Sequence, residues 1–218
     1  MLIKYSKLSK QRREKLLRCF GEDLTATQTA GLLRINRNTV NRYYRLFRER
    51  IAIYQEQQAQ RHGFTGEIEL DESYFGGKNK GNRGRGTAKT PVFGLFKRHG
   101  QVYTQIIKNA SSAQIRPIIR RLVRPGSTVY TDKWRAYDGL VLNGYEHHRI
   151  DHDRDGYSDR KGGHINGIES FWSFAKRRLL QFNGIRAQDF YWHLKECEFR
   201  FNERKHLYQK MLALLKIS

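Results

Sequence analysis

Residues 66–77, GEIELDESYFGG, set the fold because they are the first of several short β-rich runs bounded by glycines. Two similar runs follow closely, TPVFGLFKR at 90–98 and QVYTQIIKN at 101–109. Apolar and β-branched residues in short runs with glycine between them are typical of strands joined by turns. The three runs therefore predict an antiparallel meander.

The second half of the chain alternates helices with strands. SAQIRPIIRRLV at 112–123 predicts a helix, and STVYTDKW at 127–134 predicts a strand that leads into a short helix at 135–142. YEHHRI at 145–150 predicts a fifth strand, and from residue 164 the pattern is helical to the end. This order predicts an α/β fold, with a mixed sheet flanked by helices.

Composition narrows the class of partner. The 218 residues include 42 Lys and Arg against 21 Asp and Glu, a formal net charge of +21, which predicts a polyanionic partner. With 38% hydrophobic residues the chain can bury a core, and its two cysteines exclude a disulfide framework or an all-cysteine zinc ribbon. No run approaches the roughly 18 apolar residues of a membrane span. We expect a cytoplasmic protein associated with nucleic acid and not with membrane.

The amino-terminal region predicts a helix-turn-helix. Thr25 and Asn36 are suited to cap two helices, and a buried stripe recurs in the second of them at Val40, Tyr43 and Phe47. Side chains suited to base edges and phosphates fall mainly on its other faces: Arg37, Asn38, Asn41, Arg42 and Arg45. The alternative is a basic helical bundle whose arginines are only solvated.

A domain boundary is expected in YQEQQAQRHG, at 54–63. This divides the chain into a small all-α helix-turn-helix domain at 1–60 and an α/β domain at 64–218, which includes the carboxyl-terminal helices.

Three acidic residues occupy notable positions in this basic chain. Asp71 follows the apolar strand EIEL, Asp132 follows TVYT, and Glu169 lies in the helix at 164–180. Apolar side chains at three- and four-residue spacing form the stripe of that helix that packs on the sheet: Ile165, Ile168, Trp172, Ala175 and Leu179. Asn166, Glu169 and Lys176 lie on a polar strip beside it. Glu169 is therefore expected at the edge of the buried face, within reach of the strand ends.

Convergent carboxylates repel one another unless positive charge lies between them. Mg²⁺ and Mn²⁺ prefer oxygen ligands, and two such ions roughly 4 Å apart serve phosphodiester displacement. The alternative is that each acid is separately a cap, a turn residue or a partner for lysine. Three acids at the corresponding positions of this strand order, where they could converge, favour the metal site. Glu72 is left out because alternation turns it to the opposite face.

A basic loop between the first two strands is a second candidate for phosphate binding. GGKNKGNRGRGTAK contains several cations without an acid, among them Lys78, Lys80, Arg83 and Arg85. Beside a nucleic-acid site it would follow phosphates, and otherwise it is a solvated hairpin loop.

Three blocks of this sequence resemble a known family. LDESYFGGK around Asp71, VYTDKWRAYDGL around Asp132 and HINGIESFWSFAKRRL around Glu169 are similar to the signature blocks of the ISXO-like group of bacterial insertion-sequence transposases, which is related to Merlin transposons. The resemblance runs from about residue 64 to 180. It implies a ribonuclease-H-like fold, a DDE-type site with two Mg²⁺ or Mn²⁺ ions, and strand cleavage and transfer at transposon ends.

The resemblance also implies roles for individual residues. Asp71 and Asp132 match the two aspartates of the family, and Lys176 matches its DNA-contacting basic residue, with Arg177 and Arg178 beside it. The third ligand stays open between Glu169 and Asn166, because some branches use asparagine. We favour Glu169, since a carboxylate binds Mg²⁺ more strongly than an amide oxygen does.

The resemblance implies a transposase that acts on double-stranded DNA, both transposon ends and target. Joining two ends calls for a homodimer or a higher assembly, located at the bacterial nucleoid. A repressor-like protein that binds DNA without cutting is the alternative, and a junction resolvase is a third possibility. Metal-dependent nicking at a specific repeat distinguishes the three.

Overall fold

A computed structural model describes residues 8–76, 89–132, 144–150, 165–182 and 184–215. The chain divides into two compact units. The helical unit comprises Met1–Glu56 and Arg178–Ser218, and the sheet unit comprises Gln57–Arg177. The first division falls inside the segment at 54–63 where the sequence indicated a boundary.

The helical unit contains helices from both ends of the chain. Three come from the amino-terminal part: α1 (Lys10–Gly21), α2 (Ala26–Leu33) and the start of α3 (Arg37–His62). Thr25 and Gln28 form a reciprocal capping box at α2, and Arg34 ends that helix in the left-handed conformation. The side chain of Asn36 accepts a hydrogen bond from the backbone of Asn38 at the start of α3. The predicted caps are therefore confirmed, and α3 continues through the predicted boundary segment.

The carboxyl-terminal helices share the core of this unit. α6 (Ala187–Asn202) contributes Phe199, and α7 (Leu207–Leu215) contributes Met211 and Leu215. These side chains pack with buried residues of the amino-terminal helices, such as Phe20 and Phe47. The grouping differs from the sequence-based division, which assigned α6 and α7 to the α/β domain. Its physical reason is that their apolar faces complete the amino-terminal core.

The sheet unit contains the five predicted strands. They are β1 (Glu67–Phe75), β2 (Thr90–Lys97), β3 (Val102–Ile106), β4 (Thr128–Thr131) and β5 (Glu146–Arg149). Their order across the sheet is β3-β2-β1-β4-β5. The first three pair antiparallel, as the meander predicts, whereas β4 is parallel to both β1 and β5. This is the predicted mixed, ribonuclease-H-like sheet.

Helices cover this sheet on both sides. α4 (Ser112–Leu122) packs through Ile115, Ile119 and Leu122 against a core that includes Ile68 and Leu70 of β1. Successive strand residues point to opposite faces, so Glu69 and Asp71 lie on the other face. α5 (Asn166–Leu180) approaches that face. The predicted helix at 135–142 lies outside the described residues.

Two glycines permit α5 to lie close to the sheet. A methyl group on Gly94 would lie 2.5 Å from Cζ2 of Trp172, and one on Gly167 would overlap the ring of Phe96. Distances this short are far below van der Waals contact, so no larger residue fits without displacement of the helix. Glycine on strand and helix thus sets the height of α5 above β1 and β2.

One detail of the sheet differs from the expectation. Asp71 was expected to close its strand, but β1 continues to Phe75 because its second half stays paired with β2. Glu72 is therefore a strand residue and points away from the face of Asp71, as alternation requires. Across the part of the chain that is described, no helix is both long and apolar enough to cross a bilayer.

Candidate active site

Asp71 and Asp132 lie next to each other across two parallel strands. The register pairs Ile68 with Val129 and Glu69 with Tyr130. Continued for two residues, it brings Asp71 level with Asp132, where β4 has just ended. The parallel pairing of β1 and β4 therefore places both aspartates beside the carboxyl end of β4.

The Asp71 carboxylate is half-buried against α5. Its Oδ1 accepts a hydrogen bond from the backbone N–H of Glu72 at 2.8 Å, and its Oδ2 accepts one from Nε1 of Trp172 at 3.0 Å. Burial raises the pKa of Asp71 from 3.8 to about 7, and the charges of Asp132 and Glu169 add to the rise. The two other predicted carboxylates therefore both raise the pKa of Asp71.

The helix α5 carries the third acid on the predicted face. The apolar stripe of Ile168, Trp172 and Ala175 is buried, whereas Glu169 is half-buried beside it. Asn166, the alternative ligand, is exposed at the first residue of the helix. Of the acidic side chains on α5, Glu169 is the one whose charge raises the pKa of Asp71, in addition to the effect of Asp132 at the end of β4.

Glu69 fixes the start of α5 to the sheet and was missed at the sequence level. Its side chain is fully buried. Oε2 accepts the backbone N–H of Ile168 at 2.9 Å, and Oε1 accepts Nε of Arg98 at 3.2 Å. Alternation along EIELDE could have identified this residue, since Glu69 and Asp71 share one strand face. Glu69 thereby joins the helix that carries Glu169 to the strand that carries Asp71.

The three basic residues that follow in α5 lie in different surroundings. Lys176 and Arg177 are exposed, and Nζ of Lys176 lies 5.8 Å from the centre of the Phe75 ring. Arg178 is buried instead, with Nη2 2.6 Å from Asp23 and 2.5 Å from Glu196. The predicted phosphate contact of Arg178 is not compatible with this position, because its guanidinium is already occupied by two carboxylates.

The oxygen donors of this site suit a hard divalent cation. Asp71, Asp132 and Glu169 offer carboxylate oxygens, and the charges of Asp132 and Glu169 add to the burial that raises the pKa of Asp71, so a cation among the three would be favoured. In the described residues, no three His, Cys, Asp or Glu side chains already stand close enough to hold one ion. The carboxylates therefore interact at longer range than coordination requires.

The predicted DNA-reading residues form an exposed face of α3. Arg37, Asn38, Asn41, Arg42 and Arg45 are all exposed, whereas Val40, Tyr43, Tyr44 and Phe47 are buried. The division into a buried stripe and a polar face is therefore as the periodicity predicts. Arg45 pairs with Glu49 one turn on, at 2.9 Å. The predicted loop cations Lys78, Lys80, Arg83 and Arg85 lie outside the described residues.

Comparison with known sequences identifies transposase-like relatives. Residues 63–202 match the family described as the ISXO2-like transposase domain. An uncharacterized transposase-like protein of Haemophilus influenzae is 43% identical over 116 residues, which are 53% of this chain and 91% of the relative. An uncharacterized protein in transposable element ISH50 of Halobacterium salinarum is 31% identical over 160 residues. The match covers 65% of this chain and 54% of the relative.

Comparison with solved structures gives matches to complexes of the Mos1 transposase. The Mos1 paired-end complex with the left transposon end matches at a TM-score of 0.30 and 14% identity, covering 98% of this chain and 81% of that one. A Mos1 mariner paired-end complex with Mn matches at 0.29 and 15%, covering 98% and 80%. These likenesses are weak, so the fold assignment depends on the strand order.

Proposed function

The chain belongs to the ISXO2-like transposase family, and we propose on this premise that it is a metal-dependent DNA transposase. It binds the terminal inverted repeats of its element and cleaves and transfers strands there. The observation that carries the proposal is the half-buried Asp71 carboxylate, whose pKa is raised to about 7 beside Asp132 and Glu169. Perturbed carboxylates of this kind are typical of catalytic sites.

The proposed reaction has two displacements at phosphorus. In cleavage, a water oxygen bonds to the scissile phosphorus, the bond to the 3′ oxygen breaks, and that oxygen leaves as a 3′-hydroxyl. In transfer, this hydroxyl attacks a phosphodiester of the target, and the target's own 3′ oxygen leaves. Two bound Mg²⁺ or Mn²⁺ ions supply the charge that activates the attacking oxygen and stabilises the leaving one.

Asp71, Asp132 and Glu169 are the proposed ligands. Burial is the main cause of the raised pKa of Asp71, and repulsion from Asp132 and Glu169 adds to it. Bound ions would offset this repulsion and so the cost of drawing the three carboxylates together. Trp172 orients Asp71 through the Nε1 hydrogen bond, and Glu69 anchors the helix that carries Glu169. Asn166 is the alternative third ligand, and Glu169 is preferred because a carboxylate binds Mg²⁺ more strongly than an amide oxygen does.

DNA binding is assigned to two surfaces. The exposed face of α3 reads base edges in the major groove, because Arg suits guanine and Asn suits adenine there. Lys176 and Arg177, exposed on the helix that carries Glu169, bind phosphate near the cut. Since the reaction joins two ends, a homodimer or a higher assembly on DNA is part of the proposal.

The test is strand nicking of a labelled duplex that carries the terminal repeat of the element. Wild type is compared in Mg²⁺ and in Mn²⁺ with Asp132→Asn, Glu169→Gln and Asn166→Ala. Glu72→Gln is the matched control, since it removes a carboxylate next to Asp71 on the opposite strand face. Repeat binding of every variant is measured in EDTA, so that lost cleavage is not confused with lost binding.

We expect wild type, Asn166→Ala and Glu72→Gln to nick the repeat, and Asp132→Asn and Glu169→Gln to bind it without nicking. Normal cleavage by Glu169→Gln together with loss of cleavage by Asn166→Ala would assign the third ligand to Asn166. Tight binding by wild type without nicking in either metal would contradict the enzyme and leave the silent DNA-binding protein.

A further inference from the structure

A cleft in the helical unit is bordered by the DNA-reading face of α3, and its opposite wall has no role in the proposed function so far. Its volume of about 1080 Å³ is slightly above the range of roughly 300–1,000 Å³ for small-molecule sites. One wall comes from the start of α2 and the exposed face of α3. The other comes from Gln181, Phe182 and the beginning of α6.

The charge of the lining favours an anion. Five arginines face the cleft against a single carboxylate: Arg37, Arg42, Arg45, Arg48 and Arg186, with Asp189. Three of the five are engaged, since Arg45 pairs with Glu49, Arg48 with Glu196 and Arg186 with Asp189. Within the described part of the chain, Arg37 and Arg42 form no ion pair. Two cations at the mouth of the cleft are therefore ready to bind phosphate.

The inner wall offers aromatic rings. Trp192, Phe182 and His193 line the cleft, and the rings of Phe182 and His193 meet edge to face at 4.6 Å. Burial lowers the pKa of His193 to about 4, with Arg48 adding to the effect, so the imidazole is neutral at pH 7. The inner wall therefore combines aromatic rings with a neutral imidazole, and Arg48 lies beside them, 5.6 Å from the centre of the Phe182 ring. The mouth is cationic.

A cationic mouth with aromatic rings beside it matches a nucleotide whose base is not paired. In a duplex, neighbouring base pairs cover the faces of each base. An unpaired nucleotide exposes these faces, and stacking on aromatic side chains is how single strands are usually held. A free phosphate or sulfate would use the arginines but leave the aromatic wall without a partner.

We propose that this cleft holds an unpaired nucleotide of the DNA strand next to the duplex bound by α3. Arg37 and Arg42, at the border between the duplex-binding face and the cleft, bind the phosphates that lead from the duplex into the cleft, and Trp192 stacks on the base. The inference rests on the proposed DNA-binding function and extends it to DNA that is locally single-stranded, such as a frayed or cleaved end.

The test compares two labelled duplexes by fluorescence anisotropy in EDTA, which prevents cleavage. One is the blunt terminal repeat, and the other carries a short unpaired extension of thymidines. We expect wild type to bind the extended duplex roughly 5- to 100-fold more tightly, the range that stacking of one or two bases provides. Trp192→Ala should lose this preference and keep its affinity for the blunt duplex. Gln188→Ala, an exposed change on the same helix outside the cleft, should retain both.

A crosslinking measurement keeps the test decisive if Trp192→Ala fails to fold. With 5-iodouracil in the extension, ultraviolet crosslinks of wild type are expected at Trp192 or Phe182, identified by mass spectrometry. Equal affinity of wild type for both duplexes, or crosslinks only outside the cleft, would overturn the inference and leave the transposase proposal intact. Failure to bind either duplex would overturn the DNA-reading role of α3, and the inference with it.

Discussion

Asp71→Asn should make the metal-free protein more stable at pH 8 than the wild type. The pKa of Asp71 rises from 3.8 to about 7 on folding, roughly three pH units, which corresponds to about 4 kcal/mol. Because the folded pKa is raised, wild-type stability is present below pH 3.8 and is lost as pH rises towards 7 and above. The neutral amide does not carry this penalty.

The amide has a smaller cost of its own. It keeps one oxygen, so it can accept from Glu72 N–H or from Trp172 Nε1–H but not from both, which costs about 1–2 kcal/mol. The variant should therefore be more stable by about 2 kcal/mol at pH 8. At pH 5 only about a third of the wild-type penalty has developed, and the two proteins should be about equally stable.

Urea unfolding in EDTA, followed by tryptophan fluorescence at pH 5 and pH 8, measures this difference. Mn²⁺ at a hundred times its dissociation constant should add about 2.7 kcal/mol to the wild type and little to the variant, which reverses the order at pH 8. Glu72→Gln is the control. It should match the wild type at both pH values and gain the same stability from Mn²⁺. A variant that is less stable than wild type by the same amount at both pH values would refute the argument, because Asp71 would then be ionised without penalty.

Three further outcomes follow from contacts near the site and in the helical unit. Gly94→Ala should destabilise the fold by about 1–3 kcal/mol in urea unfolding, because its methyl group would lie 2.5 Å from Trp172; an unchanged midpoint would contradict this packing. Trp172→Phe keeps a ring but loses the hydrogen bond to Asp71. The rate of nicking should therefore fall by about 10- to 100-fold, with a stability loss near 1 kcal/mol. Full nicking activity would argue against an orienting role of Trp172. Glu196→Gln should cost about 3–5 kcal/mol, since it leaves Arg178 with one buried partner fewer. Burial opposes ionisation of Glu196, but its arginine partners hold its pKa well below 4.5. The stability lost in Glu196→Gln should therefore be largest above pH 4.5 and shrink in acid. Urea midpoints of both proteins at pH 3 and pH 7 would test this.

Local patterns predicted the elements of the fold well. The five strands followed from glycine-bounded β-rich runs, and the buried stripe of α5 followed from three- and four-residue spacing. Such features depend on neighbours in sequence. The same spacing gave the half-buried position of Glu169 beside the stripe.

Features that depend on partners far along the chain could not be predicted from local patterns. Arg178 directly follows two exposed cations, and nothing local indicates that Asp23 and Glu196 bury it. Likewise, the apolar faces of α6 and α7 showed that these helices are buried but not which core they complete. Glu69 is intermediate, because alternation reveals its face whereas its bond to Ile168 spans nearly a hundred residues.

The most direct test of the central claim is strand joining by a pre-cut end. A duplex that ends in the terminal repeat with a free 3′-hydroxyl is incubated with plasmid DNA and Mn²⁺, and joined product is measured for wild type and Asp132→Asn. The proposed site predicts joined product from wild type and none from Asp132→Asn, although both bind the end equally. Undiminished joining by Asp132→Asn, or no joining by a wild type that binds the end tightly, would contradict it.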